Sequence, residues 1–245
     1  MKIDVAMTCY DCKPWLDEAI GSVAGNSYED WVIYFVDDAS TDGSFEWAFR
    51  WQAELGEKFV PVRRFVNGGY GPCLKDAIEI GSGELVAIVD ADDAIEPHAL
   101  ARMVEEHERN PEAAVVYSRS WWCNQFLTPY KYGPSGPIPE GMTLLDCLDG
   151  GPKSGRVSHL KVLKRKFYEM TEGVGNLRKR IDKDLMLKME EVGKLVFIPD
   201  VLYFYRDRPG NLTNLYFKMP EEERERIAEQ SRKILENAKK RRGIK

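Results

Sequence analysis

Apolar segments of strand length alternate with helical periodicities through the first half of this 245-residue chain. The apolar segments occupy residues 2–7, 31–36, 59–65, 85–89 and 113–117. Between them, apolar side chains recur at helical spacing over 14–26, 45–55, 73–81 and 97–110. Strands that alternate with helices predict an α/β fold with a mostly parallel sheet covered on both faces. Ligands of such folds bind in a crevice at the carboxyl ends of the strands.

Acidic residues stand at two of these carboxyl ends. Asp90, Asp92 and Asp93 follow the fourth apolar segment, and Asp37 and Asp38 follow the second. Carboxylates this close repel one another unless a partner, such as a divalent cation, holds them together. Because both clusters are expected at one edge of the sheet, they indicate a nucleotide held beside a metal ion.

The second half of the chain is less regular. Residues 119–156 are rich in Trp, Tyr, Pro and Gly, which favours a long loop or a β-excursion. Strands are predicted at 156–163, 195–198 and 201–205, and helices from 164 through 168, over 182–192 and over 221–242. We expect a nucleotide-binding half at 1–118, an acceptor-side half of the same domain at 119–218, and a C-terminal helix within 219–245.

Composition restricts the classes of protein that fit. Hydrophobic residues make up 43% and charged residues 31% of the chain, and no apolar run approaches the length of a membrane span. The first residues lead into a strand without signal-peptide features, so a cytoplasmic protein with at most peripheral membrane contact is expected. The net charge of −5 argues against general nucleic-acid binding. Cys9 and Cys12 are interpreted as two reduced thiols, with a redox pair or a zinc site as the alternatives.

Several motifs, taken in order, resemble those of the family 2 glycosyltransferases, which have the Rossmann-like GT-A fold. The motifs are Ala6-Met7-Thr8-Cys9-Tyr10-Asp11, Val36-Asp37-Asp38 with the turn to Ser44, Asn67-Gly68-Gly69-Tyr70-Gly71, Asp90-Ala91-Asp92-Asp93, Ile181-Asp182-Lys183-Asp184-Leu185 and Tyr203-Phe204-Tyr205-Arg206. One Asp-x-Asp alone is a weak signal, whereas the ordered set is specific. The resemblance implies a hexosyltransferase that uses Mn²⁺ or Mg²⁺ and moves a sugar from a nucleotide diphosphate sugar, most often a UDP-sugar, with inversion.

The resemblance also implies the residues of the donor side. Asp92 would bind the metal ion, with Asp90 beside the ribose or the metal shell, and the metal would neutralise the diphosphate leaving group. Asp38 would accept a hydrogen bond from the base, in a pocket lined by Thr8 and Tyr10. The structural alternative is that these acids only cap the turn or helix that follows, a role expected in particular for Asp37 and Asp93.

The resemblance implies a catalytic base on the acceptor side. Asp182 would accept the proton of the attacking hydroxyl in a single displacement. The family usually has Glu-Asp here, but Ile181 replaces the Glu, and Asp184 is an alternative base.

Four further residues are secondary candidates. Lys75 either pairs with the diphosphate or lies on the solvated surface. His159 is expected near the donor sugar or the acceptor, with a structural role as the alternative. Arg206 and Arg208 either reach the pyrophosphate or are surface charges next to Pro209-Gly210.

The expected partners are a nucleotide-sugar donor and a hydroxyl acceptor that is a glycan, a lipid-linked sugar or a small molecule, with a modified nucleobase kept as an option. The aromatic segment 121–132 is either an acceptor platform or packing beneath a long loop. Two alternatives to the transferase remain. One is a nucleotidyltransferase, and the other is a non-catalytic nucleotide-sugar-binding relative, which the replacement at Ile181 keeps open.

Overall fold

The computed structural model describes residues 1–151, 156–175, 177, 179–211 and 218–244. Over these residues the chain forms one nine-stranded sheet with helices on both faces. The strands are β1 (Ile3–Cys9), β2 (Trp31–Asp37), β3 (Phe59–Arg63), β4 (Leu85–Ile88), β5 (Ala94–Ile95), β6 (Ala113–Cys123), β7 (Pro129–Tyr132), β8 (Lys161–Lys164) and β9 (Lys194–Arg206). The α-helices are α1 (Leu16–Ala24), α2 (Ser44–Leu55), α3 (Tyr70–Glu79), α4 (Ala99–Arg109), α5 (Leu144–Leu148), α6 (Arg165–Tyr168), α7 (Ile181–Val192) and α8 (Glu221–Arg241).

The strand order is β3-β2-β1-β4-β8-β6-β9-β5, and β7 pairs with β6 outside this path. The first four strands of the chain pair in parallel, and so do β6 and β9. By contrast, β8 is antiparallel to both β4 and β6, and β5 and β7 are antiparallel to their neighbours. Strands β1 to β4, β6 and β9 therefore run in one direction, which confirms the predicted mostly parallel α/β sheet.

Two apolar layers lie on opposite faces of the sheet. Side chains alternate along β1, so that Ile3, Val5 and Met7 join the layer that contains α1 and α4, while Ala6 joins the layer that contains α3 and α7. A strand that is buried on both faces reads as a continuous apolar run, because neither face meets water. This burial accounts for the apolar segments that form β1, β2 and β4.

The second half departs from the prediction in several elements. Strand β6 continues to Cys123, so Trp121 and Trp122 lie in a strand, and the segment 119–156 includes β7 and α5. A β-excursion is therefore present rather than one long loop. Strand β9 is continuous where two short strands were predicted. From the pair Tyr117–Phe197 to the pair Arg119–Val201, β6 advances by two residues and β9 by four. This irregularity accommodates Pro199 and Asp200 within β9.

The structure corrects the interpretation of the first two cysteines. Cys9 and Cys12 form a disulfide, so the expectation of two free thiols is wrong for this pair. Their Cα atoms lie 6.0 Å apart, which a disulfide can span, and Asp11 between them turns the chain with a φ of 49°.

The C-terminal helix α8 has three glutamates in its first turn and basic residues in its last, as predicted from the sequence. Its last turn is tied to the protein by ion pairs from Lys239 to Asp149 and from Arg241 to Glu191. Over the residues with described structure, no helix combines the length and the apolar character needed to cross a membrane.

Candidate active site

The carboxyl ends of β2 and β4 flank the end of β1. The N–H of Asp38 donates to the carbonyl of Cys9 at 2.8 Å, and the N–H of Ala91 donates to the carbonyl of Thr8 at 3.3 Å. The turns that carry the two acidic clusters therefore lie on either side of one strand end. Tyr10, half exposed, follows at the same edge. This edge is where the sequence placed a ligand crevice.

Asp38 organises the glycine-rich loop. Its buried carboxylate accepts hydrogen bonds from the N–H groups of Gly68 at 3.0 Å and Gly69 at 2.7 Å, and from the Arg64 guanidinium at 3.1 Å. Gly69 has a φ of 85°, a backbone conformation that residues with a side chain rarely adopt. The adjacent Asp37 accepts from the N–H of Ser40 and so closes the turn after β2.

The turn after β4 is tied to the end of β9 through Asp93. This buried carboxylate accepts a hydrogen bond from the hydroxyl of Tyr203 at 2.7 Å and one from the N–H of Arg206 at 2.6 Å. The prediction that Asp93 caps the following helix is wrong, because α4 begins after His98 and Asp93 bonds to β9 instead. Burial, and then the carboxylates of Asp92 and Asp90, raise the pKa of Asp93 well above its ordinary value.

Asp92 faces a different arginine. Its carboxylate Oδ2 accepts from Nε of Arg208 at 2.5 Å, while its backbone carbonyl accepts from Nε of Arg206 at 2.6 Å. The guanidinium of Arg206 is fully buried and also donates to Glu18 and to the carbonyl of Gln125. The structure therefore places Arg206, expected near the pyrophosphate, in the packing beneath the turn.

Antiparallel strand β8 and the residues just before it bring Lys161 and His159 to the same edge. Lys161 opens β8 and pairs in register with Ile88, the last residue of β4, so it stands beside the acidic turn. Its Nζ lies 3.1 Å from Oδ2 of Asp182, in the first turn of α7. Nε2 of His159 lies 3.9 Å from Oδ2 of Asp90. The structure thus brings Asp90, His159, Lys161 and Asp182 together.

The charges of this cluster shift its pKa values in different directions. Burial, and then the carboxylates of Asp92 and Asp182, raise the pKa of Asp90 to about 7. Burial, and then the ammonium of Lys161, lower the pKa of His159 to about 3, so that its imidazole is neutral at ordinary pH. For Asp182, burial acts to raise the pKa, but Lys161 and His159 outweigh it, and the pKa lies below its ordinary value.

Two further candidates make their own contacts on helices. Oδ2 of Asp184 lies 2.8 Å from Nζ of Lys188, whose ammonium also donates to a backbone carbonyl. Lys75 is partly exposed on α3, where its Nζ lies 4.0 Å from a carboxylate oxygen of Glu79. Neither is part of the cluster around Asp182.

Sequence reasoning missed Lys161 and Tyr70. Lys161 is fully buried although it stands in an apolar strand beside Val162 and Leu163, and a charged residue in such a strand was the available signal. Burial, and then the nearby carboxylates of Asp90 and Asp182, raise the pKa of Tyr70 well above its ordinary value. Its position in the glycine-rich motif gave no such indication.

The donor chemistry of the acidic turn suits a hard divalent cation. Carboxylate oxygens are the ligands that Mg²⁺ and Mn²⁺ prefer, and Oδ1 of Asp90 is buried with no hydrogen-bond partner among the described residues. A cation would also oppose the burial and the carboxylate repulsion that raise the pKa of Asp90. No group of three or more Asp, Glu, His or Cys side chains that could hold a metal occurs within the described ranges. Diphosphate oxygens would therefore have to complete the coordination.

Residues 4–170, well over half of the chain, match the family model described as Glycosyl transferase family 2. The chain belongs to this family. The family predicted from the ordered motifs is therefore confirmed. Among curated proteins, this family 2 glycosyltransferase is similar to an uncharacterized glycosyltransferase of Nostoc sp., with 34% identity over 219 residues. The match covers 86% of the chain but only 66% of the length of that relative.

Solved structures share the fold of this family 2 glycosyltransferase. It superposes on S. aureus TarS 1-349 in complex with UDP-GlcNAc with a TM-score of 0.66 and 19% identity, over 87% of the chain and 61% of TarS 1-349. It superposes on the mannosyltransferase PcManGT from Pyrobaculum calidifontis, in complex with GDP-Man and Mn²⁺, with a TM-score of 0.65 and 18% identity. That match covers 89% of the chain and 60% of PcManGT. The predicted GT-A architecture is therefore confirmed.

Proposed function

We propose that this chain is a metal-dependent, inverting glycosyltransferase that moves a sugar from a UDP-sugar to a hydroxyl acceptor. One observation carries the proposal: the carboxylate of Asp182 and the acidic turn of Asp90 and Asp92 meet at one edge of the sheet, with His159 and Lys161 between them. A carboxylate base on one side and a diphosphate site on the other are the two parts that such a transfer requires.

On the donor side, Asp92 would hold Mn²⁺ or Mg²⁺ together with the diphosphate, and Asp90 would face the ribose or the metal shell. The bound ion would neutralise the negative charge of the leaving diphosphate. The complex of PcManGT with GDP-Man and Mn²⁺ supports this proposal by analogy of fold. Asp38 would accept a hydrogen bond from the base, while it holds the glycine-rich loop in place, and Thr8 and Tyr10 would line the pocket.

On the acceptor side, the acceptor oxygen would attack the anomeric carbon as the bond from that carbon to the diphosphate oxygen breaks. Asp182 would take the proton of the attacking hydroxyl, and one displacement inverts the configuration. The ammonium of Lys161 favours the ionised carboxylate that this role requires. Asp184 suits the role less well, because it is buried against Lys188.

The acceptor would lie against the aromatic strands β6 and β7. Trp121 stacks on Tyr132 with ring centroids 4.2 Å apart, and the ammonium of Lys131 lies 4.0 Å from the ring centroid of Trp122. Strand β7 is exposed along its length. Aromatic faces of this kind suit the C–H groups of a sugar ring, so a glycan or lipid-linked sugar is the proposed acceptor class.

The donor can be tested first by thermal shift and calorimetry with UDP-sugars and GDP-sugars, each with and without Mn²⁺. We expect a metal-dependent rise of the melting temperature with a UDP-sugar, because a ligand that binds only the folded state stabilises it. No response to any nucleotide sugar would refute the proposal. A response to GDP-sugars alone would refute the UDP assignment.

The base can be tested by donor hydrolysis and by transfer to oligosaccharides. Asp182→Asn is expected to lower kcat by at least about a hundredfold with little change in nucleotide affinity, because general base catalysis contributes about 10²–10⁴. Asp184→Asn, the matched control, should retain most of the activity if it folds. Near wild-type turnover in Asp182→Asn would exclude it as the base. Binding without any turnover of donor in the wild type would identify a non-catalytic relative.

A further inference from the structure

Arg208 forms an ion pair with Asp92, the carboxylate that the proposed metal ion would bind. Its Nε donates to Oδ2 of Asp92 at 2.5 Å, and the two side chains are only 13% and 18% exposed. The guanidinium also lies over the ring of Trp15, whose centroid is 4.2 Å from Cζ. An ion pair and a cation–π contact therefore hold the arginine beside Asp92.

The neighbouring Arg206 joins the end of β9 to the acidic turn independently of this ion pair. Arg206 donates to the backbone carbonyl of Asp92, to Glu18 and to the carbonyl of Gln125, and its N–H donates to Asp93. These bonds already join the strand end to the turn. The contact between Arg208 and the side chain of Asp92 has a different consequence: it neutralises the acid that would otherwise bind a cation.

We propose that Arg208 couples the binding of the nucleotide to the binding of the metal ion. Without nucleotide, its guanidinium competes with a divalent cation for the carboxylate of Asp92. A diphosphate offers the guanidinium a second anionic partner of suitable shape, since arginine binds phosphate oxygens through two parallel hydrogen bonds. Transfer of Arg208 from Asp92 to the diphosphate frees the carboxylate for the metal. The inference rests on the proposed function, because it requires a diphosphate donor and a metal at this turn.

Thermodynamic linkage turns this exchange into a measurable quantity. If the nucleotide removes a competitor from the metal site, it must raise metal affinity, and the metal must raise nucleotide affinity by the same factor. Direct attraction between the cation and the diphosphate contributes to this factor in any site of this kind. The contribution of Arg208 to this coupling factor is the amount by which the factor falls when residue 208 can no longer move from Asp92 to the diphosphate.

The test measures Mn²⁺ affinity by calorimetry and by the electron paramagnetic resonance of free Mn²⁺, with and without UDP, in the wild type and in Arg208→Gln. We expect Arg208→Gln to bind Mn²⁺ alone about tenfold more tightly, a change of about 1.4 kcal/mol. It should bind UDP alone more weakly, and the factor by which UDP raises Mn²⁺ affinity should fall at least about fivefold, within the usual range of coupling between two sites.

Two further variants keep the result interpretable. Arg109→Gln removes an arginine from a surface ion pair of α4, and it should leave every affinity at its wild-type value. Arg208→Lys keeps the positive charge but loses the planar fork, so Mn²⁺ alone should bind nearly as weakly as in the wild type while the coupling factor falls. Arg208→Lys also serves if Arg208→Gln does not fold.

Failure of the coupling by Arg208 and failure of the proposed function give different results. An unchanged coupling factor in both Arg208 variants would overturn the inference, even if Mn²⁺ affinity itself changed, because a static charge alters affinity without altering coupling. A wild-type chain that binds neither UDP nor GDP in the presence of Mn²⁺ would instead overturn the proposed function.

Discussion

Replacement of Lys161 by methionine tests whether a buried ammonium sets the charge of the proposed base. Nζ of Lys161 lies 3.1 Å from Oδ2 of Asp182 and is fully buried, whereas the Asp182 side chain is 41% exposed. Burial acts to raise the pKa of Asp182, and Lys161 is the largest of the influences that lower it below its ordinary value. Without the ammonium, the pKa of Asp182 should therefore rise.

The size of the change follows from the distance and the exposure. Two unit charges 3.1 Å apart attract by about 1.3 kcal/mol in water and by about 5 kcal/mol at an effective dielectric constant of about 20. Because Asp182 is partly exposed, solvent screens the pair and the lower part of this range applies. About 1.4–2.7 kcal/mol corresponds to a rise of about one to two pKa units, since one unit equals about 1.4 kcal/mol.

The assay is the pH dependence of kcat/KM for donor turnover at saturating Mn²⁺, because a bound cation would keep Asp90 ionised and leave Asp182 as the group that titrates. A base acts only as the carboxylate, so activity falls as the pH falls through its pKa, and a higher pKa moves this loss to higher pH. We expect the acidic limb of Lys161→Met to move upward by about one to two pH units, with Lys161→Arg close to the wild type. An acidic limb that stays in place in a folded Lys161→Met protein would refute the assignment of Asp182 as base or of Lys161 as its partner.

Three other substitutions, one of them with a matched control, test the supporting structure. Asp38→Ala should lower stability by about 1–3 kcal/mol in urea unfolding, because two glycine N–H groups lose their acceptor, and it should weaken UDP binding. Arg165→Met should cost about 3–5 kcal/mol in the same assay, because it leaves the fully buried carboxylate of Asp4 without its ion pair; a loss below about 1 kcal/mol would contradict this. Gly71→Ala should destabilise the protein by about 1–3 kcal/mol, because the added Cβ would lie 2.3 Å from a backbone carbonyl oxygen. Gly21→Ala is the control: its Cβ has room, so the substitution should stabilise α1. Equal effects of the two substitutions on stability would refute the steric argument.

The regular part of the fold was predictable because local and tertiary preferences agree there. Strands β1 and β4 are buried on both faces and β2 is mostly buried, so each gives a nearly continuous apolar run that the sequence alone identifies. The departures occur where tertiary context decides. Strand β5 has two residues and exists only through pairing with β9, and β9 passes Pro199 because the ladder with β6 has an irregularity there. Neither feature has a local signal in the sequence.

The candidate site divides in the same way. Residues on the parallel strand ends, such as Asp38, Asp90 and Asp92, were predictable because the carboxyl ends of parallel strands share one edge. The partners of these residues were not, because they come from strands whose direction the sequence leaves open. Arg208 reaches Asp92 from the end of β9, and Lys161 arrives at the start of β8.

The direction of β8 explains why the proposed base has a buried cation beside it. An antiparallel strand next to β4 begins at the edge where β4 ends, and the register of Ile88 with Lys161 fixes the first side chain of β8 beside the acidic turn. His159 lies just before β8, and its Nε2 reaches Asp90 while Nζ of Lys161 reaches Asp182, so both side chains lie at the same edge. A parallel strand in this place would bring its amino end to the opposite edge. The charge of Asp182 therefore depends on one strand reversal in the sheet, and not only on residues of its own helix.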